Sequence, residues 1–215
     1  MSSRSRPSPA SKKAAGDRRE QLVSIAMNHI ATKGFEGLRF QDVAEEAGIN
    51  NATLYYHFPS KEALIQGVVN RMTSELRLQR AEGKEPPTSA RDELRLEFEG
   101  VRQLLRAEPK LFIVLTELSL RARRDPAVRK IGENRDNFWR GHLSSIVEKG
   151  IAQGAFRPDI DVEATVTAFM MQVKGIAHHA TMAKRKPGEV DKAITLIAAQ
   201  VDHWLAPDTD TAHGS

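Results

Sequence analysis

Along nearly the whole chain apolar residues recur three and four positions apart, and no stretch alternates β-branched with polar residues as a half-buried strand requires. A chain with that single period buries its apolar groups by packing helix on helix, so the pattern predicts an all-α protein of about nine helices. With 215 residues and 40% hydrophobic content it has enough material for a real core. The punctuation is regular. Asp17 followed by Glu20 has the spacing of a capping box, and Leu22, Ile25, Ala26 and Ile30 then share one helical face that ends at Gly34. Phe40, Val43, Ala44 and Ala47 form a short second helix before Gly48. Asn50 opens a third that reaches Phe58, and Pro59-Ser60 starts a fourth whose stripe is Leu64, Val68, Met72 and Leu76.

The segment Gly83 to Ser89, with two prolines, predicts a short loop. Beyond it Leu94, Phe98, Val101 and Leu105 mark a helix closed by Pro109, and an apolar helix follows from Lys110 to near Arg124. Asp125-Pro126 is an N-cap with proline at the first helical position, opening a helix through Ile131, Phe138, Trp139 and Ile146 that stops at Gly154. Asp161 caps a helix over about 161 to 182, and Pro187-Gly188 precedes a last one over about 188 to 205. No internal repeat is present.

Charge is concentrated at one end. Residues 1 to 20 carry Arg4, Arg6, Lys12, Lys13, Arg18 and Arg19 against Asp17 and Glu20, which accounts for the entire net charge of +4. Such a Ser/Pro-rich arm does not fold alone; it either adds phosphate contacts beside a DNA-binding unit or only solubilises the chain, and the sequence leaves both open. The absence of cysteine excludes disulfides, thiolate catalysis and cysteine metal sites, in keeping with a reducing compartment. No apolar signal-peptide core follows the first basic residues, and no run approaches the roughly 20 apolar residues of a bilayer span. The expectation is a cytoplasmic protein without membrane contact.

Residues 40 to 58 have the requirements of a helix-turn-helix: small Ala44 where two helices cross, Gly48 in the turn, and Val43, Ile49 and Leu54 to lock them. In the third helix Leu54 and Phe58 lie about 40° apart and point inward, with Ala52 and Tyr56 opposite. Asn51, Ala52, Thr53, Tyr55, Tyr56 and His57 are thereby offered outward, a set rich in groups that bond phosphates or base edges. The segment GFEGLRFQDVAEEAGINNATLYYHFPSKEAL, residues 34 to 64, resembles the N-terminal domain of the TetR family of bacterial transcriptional regulators. The match lies in Gly34-Phe35, Asp42-Val43-Ala44, Ala47-Gly48-Ile49, Thr53-Leu54-Tyr55, Phe58 and Ser60-Lys61-Glu62. It is close over 17 to about 64, and beyond that extends to the helical plan and the turn from Gly154 to Asp161.

The resemblance implies phosphate contacts by Thr53, Tyr55, His57 and Lys61, and base contacts by Gln41, Asn51 and Ala52. Two departures stand out. Leu38-Arg39-Phe40 replaces the usual Ser or Thr cap before the second helix, leaving Arg39 as a phosphate ligand without a cap. Asn50-Asn51-Ala52 replaces the commoner Ser-Lys-Gly/Ala, so the operator sequence does not transfer. The resemblance further implies a homodimer through about 161 to 205, and Phe169, Met170, Val173, Ile176, Ile194, Ile197 and Val201 look like more apolar face than one protomer needs, though simple burial is the plainer alternative. The implied organisation is a basic flexible arm (1–16), a helix-turn-helix DNA-binding domain (17–63), a ligand-binding and dimerisation domain (64–207) and a flexible tail (208–215).

For an effector pocket the clues are aromatic or polar residues on apolar stripes: Phe98, Phe112, Thr116, Phe138, Trp139, His142, Phe169 and His178, most of which are as readily explained as core. Together they suggest a small, largely apolar effector. No metal is expected, because adjacent His178 and His179 point about 100° apart on a helix; one buried and one exposed is the expectation. No cofactor is expected. An enzyme is disfavoured by the lack of a phosphate loop, a Gly-rich dinucleotide turn or a Gly-x-Ser-x-Gly elbow. The sequence therefore points to a ligand-responsive repressor on a palindromic operator, the rival being an interaction protein whose head has lost DNA binding.

Overall fold

The structure, a computed structural model, describes residues 9–81, 87–182 and 186–207. Among these, nine α-helices and one 3-10 turn account for the regular structure: α1 (Pro9–Lys33), the 3-10 turn (Phe35–Gly37), α2 (Phe40–Glu46), α3 (Asn51–His57), α4 (Lys61–Ala81), α5 (Ala90–Ala107), α6 (Pro109–Ala122), α7 (Pro126–Ala152), α8 (Val162–Met182) and α9 (Pro187–Leu205). Arg4, Arg6, the side chains of Lys12, Lys13 and Leu76, the loop residues 83–86 and the tail 208–215 lie outside the described residues.

The caps explain the boundaries. The side chains of Asn50, Ser60, Ser89, Asp125 and Asp161 each accept a backbone N–H from the first turn of α3, α4, α5, α7 and α8. At the end of α2, Gly48 takes φ 66° while its own N–H bonds Glu45 O (3.0 Å) and Ile49 N–H bonds Ala44 O (2.9 Å). That pair of bonds closes the last carbonyls of α2 in the six-to-one, five-to-two arrangement that a left-handed glycine permits. The expected start of α1 is corrected: the helix begins at Pro9 and runs through Asp17, so Asp17 and Glu20 form no capping box. Ala10, Lys12, Lys13, Ala14 and Ala15 are strong helix formers, and lone Gly16 costs about 1 kcal/mol, too little to break the run.

Helices α1 to α3 form a head in which α1 packs on α2, α4 and α6. Helices α5 to α9 build the larger body, where α8 packs on α5, α6, α7 and α9. One continuous apolar core joins the two, from Leu22 and Phe58 through Ile65 to Phe98 and Phe169. Two expectations fail here. Phe169, Met170, Val173, Ile176, Ile194 and Val201, read as surplus apolar face, are buried within the protomer because α8 lies at the centre of the body. What α8 and α9 leave exposed is another set: Met171, Met182, Leu196 and Trp204. His178 and His179 are both exposed, since the buried stripe of α8 runs through Val173, Ile176 and Ala177 and leaves both beyond its edge. Among the described residues no helix is long and apolar enough to cross a membrane.

Candidate functional site

Helix α3 is held by its inner face. Leu54 and Phe58 are fully buried in the core that also holds Val43 and Ala44, and Asn50 Oδ1 accepts both Thr53 N (2.8 Å) and Thr53 Oγ1 (3.0 Å). The opposite face is open. Tyr56 is 84% exposed and Tyr55 53%, and Asn51 and Ala52 are exposed beside them. Aromatic surface left in water on so small a domain is a cost that a partner surface removes. Tyr55 also leans on Phe40, with ring centroids 5.0 Å apart, and Tyr56 meets His57 edge-on at 5.4 Å. Arg39 and Gln41, at the start of α2, are exposed; Arg39 adopts extended backbone before α2 and its side chain makes no cap bond.

Lys61 stands apart from this set. Its ammonium lies over the Phe35 ring (4.4 Å), and the guanidinium of Arg121 approaches the same ring (4.8 Å) while bonding Glu36 (2.7 Å) and Asp125 (3.3 Å). Burial holds the Lys61 ammonium below the usual lysine range, Arg121 adding to the effect and Glu36, Glu62 and Asp125 opposing it.

Three side chains that sequence reasoning did not single out for these tasks fix the head. Arg18 Nη1 donates to Ala47 O (3.1 Å) and Arg19 Nη1 to His57 O (2.6 Å), with the Arg19 guanidinium 4.1 Å from the Phe58 ring centre. Each arginine thus sits at the carbonyl end of a short helix, where positive charge is favoured. These two arginines of α1 brace α2 and α3. His29, buried on α1, pairs through Nε2 with Glu46 of α2 (2.8 Å).

In the body, a cavity of about 100 Å³ lies between α4, α5, α6, α7 and α8. Phe112, Phe138, Trp139 and His142 line it, together with Met72 and Thr73 from α4. Thr116 and His178 line a groove of about 320 Å³ that shares Phe112, Leu115, Arg135, Lys174 and Ala177 with the cavity. Phe98 and Phe169 line neither. Their rings pack on each other at 4.7 Å as core, and Phe169 backs Trp139 at 6.2 Å. Behind the wall sits Glu97, only 3% exposed, accepting from Trp139 Nε1 (3.2 Å) and bonding His142 Nε2 (3.1 Å). Its place was detectable, since residue 97 falls on the stripe of Leu94, Phe98 and Val101. Arg135 and Lys174 were also missed. Among the described residues no three His, Asp or Glu come together as a metal site would need.

Comparison with known proteins places this geometry. Residues 22–68 match the family model described as bacterial regulatory proteins, tetR family, and residues 112–197 match the model described as Tetracyclin repressor-like, C-terminal domain. The HTH-type transcriptional repressor KstR2 of Mycolicibacterium smegmatis is 27% identical over 146 residues, 68% of this chain and 71% of that protein. The HTH-type transcriptional regulator RutR of Escherichia coli is 35% identical over 60 residues, 28% of each. A crystal structure of a TetR-family regulator from Rhodococcus sp. superposes with TM-score 0.78 at 25% identity, covering 89% of this chain and all of the other. KstR2 of Mycobacterium tuberculosis shares the fold, with TM-score 0.65 at 21% identity over 89% of this chain and 96% of that one.

Proposed function

The chain belongs to the TetR family of bacterial transcriptional regulators, and from that premise we propose that it represses transcription as a homodimer on a palindromic operator and is released by a small, largely apolar effector. It is a regulator, not an enzyme. The observation that carries the DNA-reading role is the outer face of α3: Asn51, Ala52, Tyr55 and Tyr56 stand in solvent on a helix whose other face is locked by Leu54 and Phe58. In this reading Asn51, Ala52 and Gln41 meet base edges, where Asn and Gln pair bidentately with adenine and Ala touches a thymine methyl. Thr53, Tyr55, Tyr56, His57, Arg39 and Lys61 meet phosphates. Repression is supported by relatives that are themselves named repressors.

The link between effector and DNA runs along α4. The proposed boundary between head (17–63) and body (64–207) falls within this one helix, which begins at Lys61 beside α3 and carries Met72 and Thr73 into the cavity about 17 Å further on. A ligand that wedges Met72 outward turns the helix and with it the head. For the homodimer, the exposed Met171, Met182, Leu196 and Trp204 on α8 and α9 supply the apolar face. Dimerisation sets two heads on half-sites about 34 Å apart or a multiple of it.

Duplexes selected from a random pool, followed by fluorescence anisotropy of the winner across a salt series, test the reading. A two-fold symmetric winner whose affinity falls steeply with salt is expected, because phosphate contacts release counterions. No enrichment over the starting pool overturns it.

A further inference from the structure

Resting on the effector reading above, we propose that the ligand class is an apolar monocarboxylic acid, its hydrocarbon body spanning the cavity and the adjoining groove and its single carboxylate received by Arg135 and Lys174. The body of the cavity is hydrocarbon and ring: Val101, Phe112, Leu115, Phe138, Trp139 and Val173. Arg135 and Lys174 line both the cavity and the adjoining groove, and no Asp or Glu lines either. The remaining titratable groups there are His142 in the cavity and His178 in the groove.

The carboxylates stand one layer back. Asp136 accepts Nε (3.0 Å) and Nη2 (2.5 Å) of Arg135 on one oxygen and Lys174 Nζ on the other. Burial raises the Asp136 carboxyl, yet Arg135 and Lys174 overcome that and hold it below the usual carboxylate range. So Asp136 is ionised, and the trio of Arg135, Lys174 and Asp136 carries one net positive charge at the cavity. Arg135 Nη1 has no bond partner among the described residues, and the side chain is only 17% exposed. Glu97 is turned to His142 and Trp139 and holds those two rings in the wall.

A single carboxylate matches this arrangement in both charge and geometry. It neutralises the surplus charge and completes the fork of the largely buried Arg135 guanidinium beside an apolar wall, where a charge-assisted bond is stronger than in open water. A cation meets repulsion from two lining cations. A neutral alcohol leaves the surplus charge uncompensated beside an apolar wall.

The test uses decanoate, decan-1-ol and decylamine as probes of equal length, with binding to the full-length protein read by thermal shift and by intrinsic fluorescence, Trp139 being part of the wall. Decanoate is expected to bind at least about tenfold more tightly than decan-1-ol, with decylamine weakest. Lys174→Gln, at a position about half exposed, and Arg135→Gln are each expected to bring the ratio of decanoate to decan-1-ol affinity down towards one, the ratio being read within each variant. Equal affinity for acid and alcohol, no binding of decanoate, or an undiminished acid preference in a folded Lys174→Gln protein overturns the proposal. Operator affinity with and without decanoate is a separate measurement: tight decanoate binding without DNA release refutes the effector reading and leaves the ligand class intact.

Discussion

Asn51 and Tyr55 stand one turn apart on α3 and are held differently, which separates their expected effects on DNA binding. Asn51 is exposed in the first turn, whereas Tyr55 rests its ring on Phe40 at 5.0 Å. Asn51→Ala is expected to cost about 1–3 kcal/mol on the preferred operator and far less on sequences altered at one base step, flattening the base-preference profile there. An unchanged profile removes Asn51 from base reading. Tyr55→Phe keeps the ring on Phe40 and removes only the hydroxyl, so the thermal midpoint should hold while affinity drops by about 0.5–1.5 kcal/mol on every duplex alike. A loss confined to one sequence assigns Tyr55 to a base instead. The outer face of α3 was legible because Leu54 and Phe58 fix its rotation by periodicity alone. The tasks of Arg18 and Arg19 were not, because their carbonyl partners lie 29 and 38 residues away and no local pattern announces them. Lys61 illustrates the same limit: the sequence places it at the start of α4, but its perch over Phe35, a ring that Arg121 of α6 also approaches, is a tertiary contact that no local pattern announces.

Helix ends were readable wherever one side chain decides them, and this gives predictions at the scale of the element. Asp125 caps α7 by accepting Ala127 N (3.1 Å) and Val128 N (3.2 Å); the Val128 N–H above all, with Arg121 and the Ala127 N–H, holds its carboxyl below the usual range against the opposing effect of burial. A carboxylate whose folded pKa is depressed stabilises the fold above its unfolded value, near 3.9, and that contribution disappears as pH falls through the folded value. Asp125→Ala should therefore cost about 1 kcal/mol at neutral pH by urea denaturation, and the gap to the unsubstituted protein should narrow by about pH 3. A gap independent of pH assigns the cap's worth to something other than the charged carboxylate. At the other end of α7, Gly150 faces the buried ring of Phe156 so closely that a Cβ would come within 2.0 Å of a ring carbon. Gly150→Ala is expected to lower stability by about 1–3 kcal/mol because the buried ring and the helix must shift apart to admit the methyl group. Here the sequence showed a turn at Gly154 but not the close contact four residues earlier, since that requires the chain to fold Phe156 back across the helix. The start of α1 escaped for a different reason: the local capping signal at Asp17 was outweighed by helix formers on its N-terminal side.

For the whole molecule, the question is how one protomer's surface becomes a two-headed reader. Periodicity showed that α8 and α9 are apolar but not which of their faces is spent inside, because α8 has neighbours on several sides and a sequence does not count neighbours. The face left over holds Met171, 68% exposed, and Leu196, 60% exposed. Both are surface positions in the protomer, so a charge there should change its folding stability by less than about 0.5 kcal/mol. In a dimer buried at this face, the same charge is trapped against apolar surface and must desolvate, which opposes association. Leu196→Glu and Met171→Glu are thus expected to shift sedimentation at micromolar concentration from dimer to folded monomer, with the helical circular dichroism spectrum retained. The DNA consequence follows from tethering. When one head has bound, the other sees its half-site at an effective concentration in the millimolar range, so loss of the dimer should weaken binding to a full operator by about 10²–10⁴-fold. Binding to an isolated half-site should be untouched. A Leu196→Glu protein that still sediments as a dimer moves the interface elsewhere, and a monomeric variant that keeps full-operator affinity removes the need for paired heads altogether.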